Sequence, residues 1–228
     1  MATTSTPEEV EQQYLAAMGP DLGALCYRFW NECVQLHMQW NEYVELFAVA
    51  PKRVDLLNAV AGQLFRLVQD ALWDQLLLHL TRLTDQPESG RGKSNLSLGQ
   101  VRALVEPAIK QNIEDLVAQA SEKCEFARDW RNRRIAHRDL HLAMGAGAKP
   151  LARANRQTVD EAIAAIDTAL GALERHYRKT TVIFDLPRAN AVQMLHTLRD
   201  GLEAAERRMA RIKSGRPCPH DLEARRPV

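Results

Sequence analysis

Between residues 22 and 47 the apolar side chains Leu22, Cys26, Phe29, Cys33, Leu36, Trp40, Tyr43 and Phe47 recur in alternating steps of four and three. A period near 3.6 gathers all of them on one stripe, whereas a strand would send neighbouring side chains to opposite faces. A seam this regular predicts a long helix packed lengthwise on another helix. Trp30 and Trp40 widen its footprint, and Pro51 ends it.

The remainder of the chain repeats the helical period. A polar lead holds a short helix around residues 8–17, and Gly19-Pro20 breaks it, with Asp21 placed to cap the long helix. A second helix is predicted over 52–83, with Leu57, Val60, Leu64, Leu67, Val68, Ala71 and Leu72 inward. Its later part, Leu76-Leu77-Leu78-His79-Leu80, is apolar nearly all round and so is expected to be covered on more than one side. Residues 84–95, with Asp85, Pro87, Gly90 and Gly92, read as an exposed loop. Ser97 is positioned to cap a helix from near Leu98, and Pro107 either starts a fresh segment or kinks that one. Ile109, Ile113, Leu116, Val117, Ala120, Cys124, Ala127 and Ile135 then carry a long helix into an arginine-rich stretch.

After a loop marked by Gly145, Gly147 and Pro150, Thr158 and Glu161 have the spacing of a capping box. The helix behind them turns Ala162, Ile163, Ile166, Ala169, Leu170 and Leu173 inward. The β-prone run 180–184 has no partner run and reads as an extended connector. Pro187 opens a last helix with Val192, Leu195, Leu198, Leu202 and Met209 inward, and from Ser214 the tail is polar and frayed. The expectation is an all-α, antiparallel helical bundle: a polar lead 1–20, a helical core 21–142, C-terminal helices 143–213 packed on it as a hairpin, and a flexible tail 214–228.

Charge restricts the partners. The net charge is +1, so no global field draws a polyanion, and any nucleic-acid surface must be local. Cys26, Cys33, Cys124 and Cys218 form no CxxC pair, which disfavours a disulfide framework or a zinc site. Cys218-Pro219-His220 lacks further ligands; no metal and no cofactor are expected. His37 and His79 fall within helical patterns as boundary or partly buried histidines, and His176 and His196 sit among charges facing solvent. With no run of about 18 apolar residues and no basic, apolar leader, the expectation is a cytoplasmic protein with no membrane partner.

Local charge peaks at Trp130-Arg131-Asn132-Arg133-Arg134-Ile135-Ala136-His137-Arg138-Asp139. From 128 to 138 there are five arginines and one acid, Asp129. Arginine offers a planar fork of donors that matches phosphate oxygens, and histidine is the side chain whose ordinary pKa lies near neutrality. A phosphate binder and a proton carrier therefore stand together.

Arg131, Asn132 and His137 resemble the signature of the HEPN superfamily: an arginine, a polar residue after it, and a histidine some residues on. The extension Ile135-Ala136-His137-Arg138-Asp139 resembles the abortive-infection (Abi) branch, as do Arg82-Leu83-Thr84-Asp85 and the later Asn95-Leu96-Ser97-Leu98. The resemblance implies a HEPN-like core, a metal-independent ribonuclease with its cleft at a homodimer interface, and a place in phage defence or toxin-antitoxin biology with a possible antitoxin partner. Catalytic roles fall on Arg131, Asn132 and His137, and RNA-contacting roles on Arg128, Arg133, Arg134, Arg138, Asp139 and His141.

The chemistry is consistent with those residue types. RNA cleavage without a metal needs a proton removed from the 2′-hydroxyl, charge neutralised on the phosphorane and a proton for the leaving oxygen. His137 can act as base or acid, Arg131 can hold the phosphate, and Asn132 can orient the histidine or the ribose. Asp139 can position an imidazole or cap nearby donors. On one unbroken helix Arg131 and His137 lie about 120° apart, so a single chain makes a poor site and a twofold dimer a better one. The competing reading is a catalytically inactive helical dimer that binds nucleic acid or nucleotides, or serves as a scaffold, its arginines pairing with Glu122, Glu125, Asp129 and Asp139 at helical spacing.

Overall fold

Gly19, at φ 79°, separates α1 (Pro7–Met18) from α2 (Pro20–Tyr43) in a conformation that glycine adopts without steric penalty. Thr6 caps α1 reciprocally with Glu9, each side chain accepting the other's backbone N–H. The two helices touch backbone to backbone: a Cβ on Gly23 would lie 2.5 Å from the Tyr14 carbonyl oxygen. The computed structural model describes residues 5–90, 92–137, 139–145, 147, 149–181, 184 and 189–223. They fall into two compact units, Met1–Trp40 with Ala71–Leu186, and Asn41–Asp70 with Pro187–Val228.

The next helices are α3 (Pro51–Thr84), α4 (Pro107–Lys123), α5 (Glu125–Trp130), α6 (Leu140–Met144), α7 (Arg156–Leu173) and α8 (Ala189–Lys213). The only strands among the described residues are a two-residue antiparallel pair, Glu88–Ser89 with Lys93–Ser94, inside the loop after α3. The fold is all-α. No described helix is long and apolar enough to cross a membrane.

In the first unit the seam is buried as its spacing requires, from Leu22 through Cys26, Phe29, Cys33 and Leu36 to Trp40. Leu76, Leu77, Leu80 and Leu83 of α3, Ile113, Val117 and Ala120 of α4, and Ile166, Leu170 and Leu173 of α7 complete this core. α2 is tied to α7 by polar contacts at its rim: Trp40 Nε1 donates to Asp160 Oδ1 at 2.7 Å, and His37 Nε2 lies 2.9 and 3.1 Å from the Asp167 carboxylate oxygens. α4 packs along α7. The cap of α7 is Asn155 rather than Thr158. Asn155 Oδ1 accepts the Thr158 N–H and Thr158 Oγ1 accepts the Asn155 N–H, because Arg156 and Gln157 are already helical. Glu161 is thereby released to pair with Lys123 at 2.8 Å. Ser97 is buried without a capping bond, and only a short 3-10 turn, Leu98–Ala103, follows it.

The second unit departs further from the sequence pattern. After α2 the backbone widens into a π-turn, Val44–Ala48, whose additional residue per turn shifts the phase. Val44, Glu45 and Leu46 are buried there, while Tyr43 and Phe47 are half-buried. Arg53 donates to the Glu45 carbonyl at 2.6 Å and also to its carboxylate, which satisfies that buried charge. Within α3, Ala61 leaves helical geometry at φ −160°, ψ 64°, and the stripe expected inward splits there. Leu57 is buried, whereas Leu64 and Leu67 are 57% and 67% exposed.

On α8, Leu195 is buried, Val192, Leu198 and Leu202 are half-buried, and Met209 is exposed. Arg211 grips Asp221 of the 3-10 turn Pro219–Leu222, with Nη2 and Nε at 2.6 and 2.8 Å from the two carboxylate oxygens. Pro187 and residues 182–183 lie outside the described residues.

Candidate functional site

The helix carrying the arginines is interrupted twice, so the unbroken-helix expectation is corrected. Cys124, at φ −95°, ψ 3°, separates α4 from α5. From Arg131 to Ile135 the backbone then widens into a π-turn, a feature frequent at functional sites. The Ala136 N–H donates to the Arg131 carbonyl five residues back at 2.8 Å, and the Asp139 N–H to the Arg133 carbonyl at 3.0 Å. His137 stands in the bend beyond the last helical residue, exposed. The π-turn and the bend give it a setting unlike that of the arginines it follows.

Arg131 is fixed from behind. Its Nη1 donates to Asp85 Oδ2 at 2.5 Å and its Nε to Asn132 Oδ1 at 3.1 Å, and the side chains of Arg131 and Asp85 are each 26% exposed. Asp85 is the first residue past α3, so the end of one helix orients the guanidinium carried by another. The same carboxylate attracts Arg128, whose Nε lies 3.8 Å from Oδ1. Arg128 is otherwise turned inward: it donates to the carbonyls of Ser121 and Thr84 at 2.9 and 2.8 Å and to Ser121 Oγ at 2.7 Å. At 15% exposure it ties the end of α3 to the α4–α5 junction.

The other arginines hold the chain that leaves the site. Arg133 donates to the Lys149 and Pro150 carbonyls and pairs with Asp129 at 3.3 Å. Asp129 Oδ2 in turn accepts the Ala152 N–H at 2.7 Å, and Trp130 Nε1 donates to the Ala152 carbonyl at 2.8 Å. Arg134 lies over the Trp130 ring at 5.0 Å, with Trp73 edge-on to the same ring. Residues 149–152 are thus laid back along α5 by three side chains, Asp129, Trp130 and Arg133.

Asp139 caps α6, accepting the Leu142 N–H at 3.0 Å. That bond, followed by the Arg133 charge, holds its carboxyl below the usual carboxylate range, so an anion persists between His137 and His141 in sequence. His141 is exposed, and among the described residues nothing hydrogen-bonds to either imidazole. Leu140 and Met144 beside them are 70% and 71% exposed. Asn132 is exposed, and Arg138 lies outside the described residues.

Burial pushes the Cys26 and Cys124 thiols up to about 12 and about 11, which keeps both protonated and unreactive at neutral pH. Among the described residues no three His, Cys, Asp or Glu side chains gather as a metal-binding group.

A family model described as HEPN_AbiU2, AbiU2, matches residues 19–198. The chain belongs to this AbiU2 family of HEPN proteins. Neither the curated proteins nor the solved structures give a match. The AbiU2 match begins at Gly19, where α1 ends, and includes both the arginine-rich turn and Asp85. Reasoning from sequence placed Asp85 in an exposed loop, although the string Arg82-Leu83-Thr84-Asp85 already contained it. The usable signal was an acid directly after the end of a helix whose preceding turns, Leu76–Leu80, are apolar nearly all round, where a largely buried terminus needs a polar partner.

Proposed function

We propose that this AbiU2 protein is a metal-independent endoribonuclease whose site is completed at a homodimer interface, working in phage defence or toxin-antitoxin biology. The observation that carries this reading is the division of labour within one wide turn: Arg131 is anchored to Asp85, while His137 stands exposed in the adjoining bend. An anchored guanidinium presents its remaining donors to a phosphate with little reorganisation as charge develops. An exposed imidazole is free to take the proton from a ribose 2′-hydroxyl as that oxygen attacks phosphorus. The departing 5′-oxygen needs a proton at the same time, and a second His137, from a partner copy, supplies it. Leu140 and Met144 support the dimer, since they expose apolar surface on the helix that carries His141, where a second copy would cover it.

RNA cleavage in excess EDTA tests the reading. Wild-type protein is expected to cut, His137→Ala and Arg131→Ala to lose at least about 10²-fold, and a mixed dimer of wild type with His137→Ala, which keeps one of the two imidazoles, to be impaired as well. Identical RNA profiles for all three proteins, or a monomer by light scattering at working concentration, overturn it.

The rival reading has an observation of its own. Arg128, Arg131, Arg133 and Arg134 all hold partners within the protein, as expected of a helical dimer that binds nucleic acid or nucleotides, or acts as a scaffold, without turnover. RNA retention with no cleavage by any of the three proteins would favour it.

A further inference from the structure

Asp85 also lines a cavity of about 240 Å³, together with Glu32, Arg82, Leu83, Asn95 and Leu96. All six residues belong to the first compact unit. Asp85 thus serves both the Arg131 anchor and the cavity wall. We infer that this cavity is a guanine-binding pocket that reads the base next to the phosphate held by Arg131, with Glu32 and Arg82 as its specificity-determining residues. The inference rests on the ribonuclease reading only for the polymer that carries the base.

Size is the first argument. Pockets for drug-sized ligands run from about 300 Å³ upward, so this one takes a single small group, and Leu83 and Leu96 offer apolar wall to a flat ring. Charge is the second. Asp85 is already neutralised by Arg131, which leaves Glu32 against Arg82, so the lining suits a neutral ligand that both donates and accepts.

The pattern of donors and acceptors is the third. Asn95 is held by its amide nitrogen, which donates to the Gln86 carbonyl at 2.9 Å, so its Oδ1 is the end left to accept. Glu32 Oε2 lies 2.9 Å from Nε2 of buried His79. Arg82 is exposed and has no hydrogen bond or ion pair to a described residue. The lining therefore offers three acceptors (Glu32, Asp85 and Asn95) and one arginine fork.

Guanine answers this set more fully than the other bases. It carries three donor hydrogens on one edge, at N1 and N2, for the acceptors, and its O6 and N7 form the acceptor pair that arginine grips bidentately. Adenine and cytosine bring one amino group each, and uracil a single ring N–H. Unstacked bases in single-stranded RNA present these edges to a protein pocket.

Titration of the wild-type protein with 5′-GMP, 5′-AMP, 5′-CMP and 5′-UMP, which contain no bond for it to cut, tests the pocket. GMP is expected to bind at least about tenfold tighter than the others. Glu32→Gln is expected to abolish that preference and Arg82→Met to reduce it, each with an unchanged helical circular-dichroism spectrum. Equal affinity for all four nucleotides, or a preference that survives both substitutions, overturns the proposal. Mapping cut sites on a mixed-sequence RNA separates this outcome from that of the nuclease reading. Guanine-selective binding without cleavage leaves the pocket standing and removes the nuclease, whereas cleavage with no base preference removes the pocket alone.

Discussion

Nη1 of Arg131 and Oδ2 of Asp85 stand 2.5 Å apart across 46 residues of sequence, joining the end of α3 to the π-turn after α5. The same carboxylate draws Arg128, which also has Glu125 at 3.3 Å, so its removal takes the counter-ion from Arg131 and one of two from Arg128. Asp85→Ala is therefore expected to lower stability by about 2 kcal/mol, between the values for exposed and for buried pairs. Arg131 then loses its fixed position, and cleavage is expected to fall about 10²-fold, as for a catalytic group displaced by an ångström. Denaturant midpoints read the first effect and RNA turnover the second. A variant as stable and as active as wild type would remove the anchor from the mechanism.

Trp130 makes a narrower prediction about the return loop. Its indole N–H reaches the Ala152 carbonyl while Asp129 holds the Ala152 N–H, so both backbone groups of one residue are bound by neighbours on α5. Trp130→Phe keeps most of the ring under Arg134 and deletes one hydrogen bond, worth about 1 kcal/mol. Amide exchange at residues 151–153 is expected to quicken while the cores of α2 and α7 keep their protection. Uniform loss of protection throughout would show that the indole supports the whole unit instead of the loop.

The sequence made the first unit's core legible because burial on one helix face leaves a periodic trace. Leu22, Cys26, Phe29, Cys33, Leu36 and Trp40 follow that trace and are all buried. Periodicity is blind, however, to a change of pitch. The π-turn at Val44–Ala48 and the break at Ala61 each reset the phase, so Leu64 and Leu67 point outward though they continue the arithmetic of Leu57.

The candidate site was legible as residue types and not as geometry. Arg131, Asn132 and His137 were named from their spacing, but the partner of Arg131 is distant in sequence, and no local pattern reports a contact across 46 residues. Arg128 matched the expected arginine cluster by composition alone. The carbonyls that occupy it, from Ser121 and Thr84, have no signature in a side-chain pattern.

The uneven burial along α3 yields a paired substitution. Leu80 is fully buried and Leu67 is 67% exposed, although both belong to the same helix and both are expected inward from the sequence. Leu80→Ala is expected to cost about 2–5 kcal/mol through lost transfer energy and the cavity left behind. Leu67→Ala should stay within about 0.5 kcal/mol, as surface changes do. Comparable losses from both, measured by urea unfolding, would restore the uninterrupted stripe read from the sequence.

His79 gives the pH dependence a direction. It is buried between α2 and α3, with Nδ1 3.1 Å from Gln39 Oε1, and burial disfavours its charged form. Glu32 pulls the other way and Arg82 adds to the effect, with a net shift below the ordinary histidine value. A histidine depressed in the folded state binds its proton more readily when the chain is unfolded. Its unfavourable contribution is therefore absent above the ordinary value, near pH 6.5, and grows as pH falls from there toward the lower folded value. Urea midpoints of the wild-type protein are expected to decline between pH 7.5 and 5.5 more steeply than those of His79→Gln, which has no proton to gain. Parallel pH profiles for the two proteins would place the titration responsible for acid sensitivity at some other group.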